Sequence, residues 1–199
     1  MIFDKGFTEK LKLDMAERLS PKRYKHTLGV AAAAVKLAHI YGLDEEKAEV
    51  AGLLHDAEKE VGLEEMQSLA DSLYADSLDP EIMEQANLLH GYAAAAYAVL
   101  KYNILDKEIV DAIAHHTTGA KEMKPLEKVI FMADYIEENR DFPGVGTLRE
   151  IAFKDLDRAV LAGYDMTISY LLQEEKTIFT GTVVNRNALL NEMRRCRGK

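Results

Sequence analysis

A histidine–aspartate pair ends an apolar, small-residue run, Ala51-Gly52-Leu53-Leu54-His55-Asp56, with Lys59 three residues further on. An uncompensated buried carboxylate is very costly, so a chain that takes this run into its interior must meet it with hydrogen bonds, cations or a metal. The fold is thereby restricted to one in which other elements bring ionisable side chains to the same point.

The remaining sequence supplies helices for that purpose. There are only 4 prolines in 199 residues, and alternating apolar/polar runs are hard to find. Phe7, Leu11, Met15 and Leu19 share one helical face. Ser20-Pro21 reads as a cap with proline at the first helical position, opening a helix that stops at Gly42. Further helices are predicted from Asp44 to about Asp56, Leu63 to Leu73, Asp79 to about Leu89, from Gly91 onward, Asp106 to His116, and Leu126 to Glu138. Asp141-Phe142-Pro143-Gly144 reads as a loop. Leu148–Glu175 reads as one long helix with a break near Gly163, Thr180-Gly181-Thr182 as a turn, and Val183–Arg195 as the last helix. No repeat, low-complexity tract or composition shift divides the chain. The expected architecture is all-α, a single helical bundle over residues 1–199.

Bulk properties narrow the function. Hydrophobic residues make up 48% of the chain, enough for a real core, and the net charge of -9 argues against a nucleic-acid coat. The single cysteine, Cys196, allows no internal disulfide and stands among arginines, a poor place for a nucleophile. Met1-Ile2-Phe3 is broken at once by Asp4 and Lys5, and the uncharged run Thr27–Val35 falls well short of the roughly twenty residues of a membrane span. The expectation is a soluble cytoplasmic protein with no membrane partner.

Side chains three, four and seven apart share a helix face. His26 falls with Gly29, Val30 and Ala33; His55 with Ala48, Ala51 and Gly52; His90 with Ala86, Asn87, Ala93 and Ala94. His116 follows Ile109, Ala112 and Ile113, and Asp134 follows Ile130 and Phe131. Any one of these reads most simply as a core residue hydrogen-bonded to a carbonyl. Five of them on different helices, with the His55-Asp56 pair among them, point to a divalent metal between packed helices. Adjacent helical residues point about 100° apart, so His116 is the expected ligand. His115, over Glu108 and Asp111, is then substrate-facing or solvated, and His39 is a helix-end histidine. Glu58, Glu60, Glu64 and Glu65 read as a solvated face. The chain has no H-E-x-x-H, C-x-x-C, G-x-x-x-x-G-K or G-x-G-x-x-G motif.

The order His26, His55-Asp56, His90, His116, Asp134 resembles that of the HD-domain metal-dependent phosphohydrolases. The sequence resembles more closely their YqeK branch, the symmetrical dinucleoside-tetraphosphate hydrolases. The likeness is carried by Arg23-Tyr24-Lys25-His26, Leu54-His55-Asp56-Ala57-Glu58-Lys59, Leu89-His90-Gly91, His115-His116-Thr117-Thr118-Gly119 and Ala133-Asp134-Tyr135-Ile136-Glu137-Glu138-Asn139-Arg140. The chain departs from the family at Phe179–Val183, where members often carry histidine–proline, although Thr182 keeps its place.

The resemblance implies a single HD-type helical domain holding two metal ions. His26, His55, Asp56 and Asp134 would hold one ion, and a bridging Asp56 with His90 and His116 the other. Iron is typical of the family, while the donor set also suits manganese, cobalt or zinc. Two cations roughly 3.5–4 Å apart acidify a bridging water, which becomes the nucleophile. The implied catalytic residues are Asp56, Lys59 and Arg140, and the implied substrate contacts are Lys59, His90, Thr117, Arg140 and Thr182. The implied reaction cuts diadenosine tetraphosphate at its centre to give two ADP. Alternatives are an HD-type nucleotidase acting on mononucleotides, or a nucleotide-binding signalling module. The alanine runs Ala31–Ala34 and Ala93–Ala96 can pack within the domain or against a second copy, which leaves a homodimer open.

Overall fold

A computed structural model describes residues 3–197. Among them are eleven α-helices and no strand: α1 Lys5–Arg18, α2 Pro21–Tyr41, α3 Glu45–Leu54, α4 Leu63–Tyr74, α5 Pro80–Met83, α6 Ala86–Tyr102, α7 Lys107–His115, α8 Pro125–Ile136, α9 Val145–Ala152, α10 Leu156–Gln173 and α11 Thr180–Arg197. The expected all-α fold is what the chain adopts. No helix among the described residues is long and apolar enough to cross a membrane.

Local chemistry sets most boundaries. The carboxylates of Asp4, Asp44, Asp79, Asp106 and Asp155 and the Ser20 hydroxyl each accept a backbone N–H in the first turn of the helix they precede. Each such cap stabilises its helix by about 1 kcal/mol. At the other end, Gly42 (φ 65°) and Asn103 (φ 55°) close α2 and α6 in the left-handed region.

The helices pack around one contiguous core. α2 lies against α3 and α8, α6 against α4 and α7, and α10 against α8, α9 and α11. Leu53, Leu54, Leu89, Ile113 and Ile130 are fully buried within it. Each such side chain contributes about 1.5–3 kcal/mol through removal from water. The α2–α3 crossing is close because Gly52 meets Ala31, where a Cβ on Gly52 would lie 2.7 Å from the Ala31 Cα. That approach brings His26 and His55 together.

Three expectations are corrected. No helix begins at Gly91: α6 runs unbroken through it, and the missing side chain lets α7 come close, since a Cβ would sit 2.8 Å from the Ala114 carbonyl. The expected long C-terminal helix breaks not at Gly163 but between Ala152 and Leu156, where Asp155 caps α10. Gly163 instead makes room for Phe131. Thr180-Gly181-Thr182 is the first turn of α11 rather than a separate turn.

Candidate metal centre

The turn that follows α3 carries His55, Asp56 and Lys59, and the N-terminal segment clamps it. Arg18 donates Nε–H to the Ala57 carbonyl (2.8 Å) and binds the fully buried Glu58 carboxylate through its Nη2. Ser20 donates its backbone N–H and its hydroxyl to Glu60, both at 2.7 Å. Of the four glutamates expected on a solvated face, Glu58 is instead buried, while Glu60, Glu64 and Glu65 are exposed, Glu60 still bonded to Ser20. Burial pushes Glu58 up to about 7 despite Arg18.

Asp56 lies at the centre. Its Oδ2 is 3.5 Å from His55 Nε2 and 3.7 Å from His26 Nε2, while its Oδ1 is 3.3 Å from His90 Nε2 and 3.6 Å from His116 Nε2. His26 Nε2 is also 3.0 Å from Asp134 Oδ1. One donor atom from each of His26, His55 and Asp134 falls within a sphere suited to a cation, and so does one from each of His55, Asp56 and His116. The six expected ligands thus converge from α2, α6, α7, α8 and the end of α3.

The histidines are oriented by hydrogen bonds through Nδ1. His55 donates to the Gly52 carbonyl (2.7 Å) and His116 to the Ile113 carbonyl (2.8 Å). Each stands at a helix C-terminus, where carbonyls three residues back are free to accept. His26 lies inside α2 and faces the Glu137 carboxylate instead, at 3.2 Å. With the proton on Nδ1, each Nε2 presents a lone pair to the centre. Buried His26 Nε2 and His55 Nε2 make no hydrogen bond, although carboxylates stand close by. Lone pairs and carboxylate oxygens facing one another call for a cation between them, so the residues fit a divalent metal.

In the metal-free protein the same rings act on the carboxylates as donors instead. Burial opposes the charge on Asp56, yet the imidazoles of His55, His116 and His90 hold its carboxyl well below the usual carboxylate range. Burial likewise opposes Asp134, which His26 and Arg140 hold low. Burial pushes His90 down to about 4 against the pull of Asp56, so it is a neutral donor at pH 7. Lys59, drawn down by burial, stands 3.3 Å from both ring nitrogens of His90.

Cations rim the cluster. Arg23 donates to Asp56 Oδ2 at 2.8 Å, and Arg140 binds the Asp134 carboxylate and its carbonyl. The Thr117 hydroxyl is 3.1 Å from His90 Nε2. Beside it opens a cleft of about 270 Å³ lined by His116, Thr117, Asp134, Tyr135, Arg140, Phe142 and Thr167. Thr182 is not in this group: it is buried in the first turn of α11. His115 is not solvated but held at 2.6 Å by the buried Glu127 of α8. Sequence reading missed the contacts of Arg23 and Glu137. Their only signal was spacing, Arg23 lying three residues before His26 and Glu137 three after Asp134.

Comparison with known proteins places this arrangement. The profile of the HD domain matches residues 23–139, which contain all six expected ligands, and the chain belongs to the HD-domain family. Within that family, a protein of Halalkalibacterium halodurans named "Bis(5'-nucleosyl)-tetraphosphatase, symmetrical" is 39% identical, over 88% of this chain and 93% of that protein. A Staphylococcus aureus protein of the same name is 38% identical over 88% of this chain and 90% of its own length. A crystal structure from Clostridium acetobutylicum, described as a predicted HD superfamily hydrolase involved in NAD metabolism, superposes with a TM-score of 0.87 at 38% identity, covering 92% of this chain and 97% of that one.

Proposed function

We propose that this protein is a symmetrical bis(5'-nucleosyl)-tetraphosphatase that hydrolyses diadenosine tetraphosphate at its centre to two ADP. The observation that carries the reading is the convergence of inward-facing imidazoles and carboxylates beneath a rim of Arg23, Lys59 and Arg140. A relative share of 39% identity over most of both chains supports it.

His26, His55, Asp56 and Asp134 would hold one divalent ion, and Asp56, His90 and His116 a second. Iron is the ion we expect, with the cytoplasm as the compartment. When bound, such ions supply Lewis acidity toward phosphoryl oxygens and lower the pKa of water. The chain's own residues do the rest. Lys59 and Arg140 offset charge on the polyphosphate as it builds in the transition state. The Thr117 hydroxyl donates to a phosphate oxygen. Tyr135 and Phe142 give the adjacent cleft aromatic walls on which a nucleobase can stack. Thr182 stays a candidate contact through the first turn of α11.

The test is substrate preference. We expect kcat/KM for diadenosine tetraphosphate to exceed that for ADP or ATP by about a hundredfold or more, a difference of about 2.7 kcal/mol in transition-state stabilisation. Equal or reversed preference would favour the mononucleotidase reading.

A further inference from the structure

Glu137 stands at the C-terminal end of α8, three residues after Asp134, and only 2% of it is exposed. Its two oxygens have separate partners. Oε2 accepts the backbone N–H (2.7 Å) and the side-chain amide (2.9 Å) of Asn139, which leaves Oε1 aimed at His26 Nδ1. The segment is held from outside as well: Arg149 of α9 donates to the carbonyls of Ile136, Glu137 and Arg140 at 2.7–2.9 Å. Glu137 therefore meets Nδ1 of the imidazole whose Nε2 stands 3.0 Å from Asp134 Oδ1.

The sequence of α2 leaves room for this contact. Gly29 lies one turn after His26, and a Cβ there would fall well inside contact distance of Glu137 Oε2 and 3.2 Å from Asn139 Nδ2. A side chain at this position would have to push the Glu137 carboxylate and the Asn139 amide aside.

We propose that Glu137 is the positioning residue for His26: its carboxylate fixes the Nδ1–H tautomer, so that Nε2 is presented as a metal donor, and Gly29 is the clearance that permits it. The inference rests on the metal-site reading above. It follows from the general behaviour of metal-binding histidines, whose second nitrogen is oriented by a hydrogen-bond acceptor, and losing such an acceptor weakens metal binding about 10–100-fold.

The experiment is Co(II) titration of the full, metal-stripped chain, followed by visible absorption, for the wild type, Glu137→Ala, Glu137→Gln, Gly29→Ala and the neighbouring exposed Glu138→Ala. Nitrogen NMR of His26 in the metal-free proteins reads its tautomer. We expect Glu137→Ala and Gly29→Ala each to weaken Co(II) binding about 10–100-fold and to lose the single Nδ1–H tautomer. Glu137→Gln, which keeps an acceptor, should recover part of the affinity, and Glu138→Ala should match the wild type. Gly29→Ala leaves the carboxylate chemically intact, so its loss cannot come from removing a charge. Thermal unfolding of the metal-free proteins identifies any variant that fails to fold, and Glu137→Gln then decides against the wild type. Wild-type affinity and tautomer in the folded Glu137 variants would overturn the proposal. Absence of saturable Co(II) binding by the wild type would overturn the metal site itself, and this proposal with it.

Discussion

The histidines of the polar cluster are oriented by two different devices. His55 and His116 each stand at a helix C-terminus and orient themselves on a carbonyl three residues back in the chain. His26 lies within α2, where the carbonyls behind it are engaged in the helix ladder, and it is oriented by Glu137, 111 residues away. A helix end supplies a free acceptor locally, whereas a helix interior must borrow one from another element. The first device is written in a few adjacent residues. The second exists only after α2, α3 and α8 have packed.

Asp56 reaches histidines of both kinds, since its Oδ2 faces His26 and His55 and its Oδ1 faces His90 and His116. Removing it should therefore affect both. Asp56→Ala is expected to lose tight metal binding and to lower turnover by at least about a thousandfold, which corresponds to about 4 kcal/mol of transition-state stabilisation. Metal analysis and steady-state kinetics on the same preparation would check this. Retention of metal in Asp56→Ala would mean that the remaining histidines and Asp134 hold metal without it.

The local device is sharpened by comparing neighbours. His116→Ala should weaken metal binding about a hundredfold or more, because it removes a donor whose orientation is already secured. His115→Ala should keep the metal. It should instead lower stability by about 1–3 kcal/mol in urea unfolding, because it leaves the buried Glu127 carboxylate short of a partner. The opposite pattern would show that the helix-face argument picked the wrong histidine.

An effect of similar size concerns acid. His90 is pushed from 6.5 down to about 4 in the folded, metal-free protein, so the unfolded chain binds more protons than the folded one between those values. Stability falls as pH drops through that window, by about 2 kcal/mol between pH 7 and pH 5. The depressed carboxyls of Asp56 and Asp134 contribute stability that is lost only lower, as pH falls below about 3.8. Urea unfolding of the metal-stripped protein at pH 7 and pH 5 measures the difference, and His90→Gln should remove most of it. An unchanged slope in His90→Gln would place the acid sensitivity elsewhere.

What the sequence made legible follows the same division. The His55-Asp56 pair, the His116 face and the aspartate caps are local patterns, and the structure places them where those patterns lead. Glycine was the main source of error. Gly91 and Gly163 look like breaks in one dimension, but their role is to let α7 and Phe131 approach, a contact no spacing rule records. The cap at Asp155 was available in the sequence and was outweighed by the continuous apolar pattern on either side of it. Arg18–Glu58 and Arg23–Asp56 join residues 40 and 33 apart, so nothing local in the charge run distinguishes the buried Glu58 from its exposed neighbours Glu60, Glu64 and Glu65.

The most direct test of the central claim is the product mixture from diadenosine tetraphosphate, incubated anaerobically with Fe(II)-loaded protein and separated by chromatography. The account predicts ADP alone, with the reaction abolished by chelation and restored by returning the metal. ATP together with AMP, or ADP formation indifferent to the chelator, would contradict it.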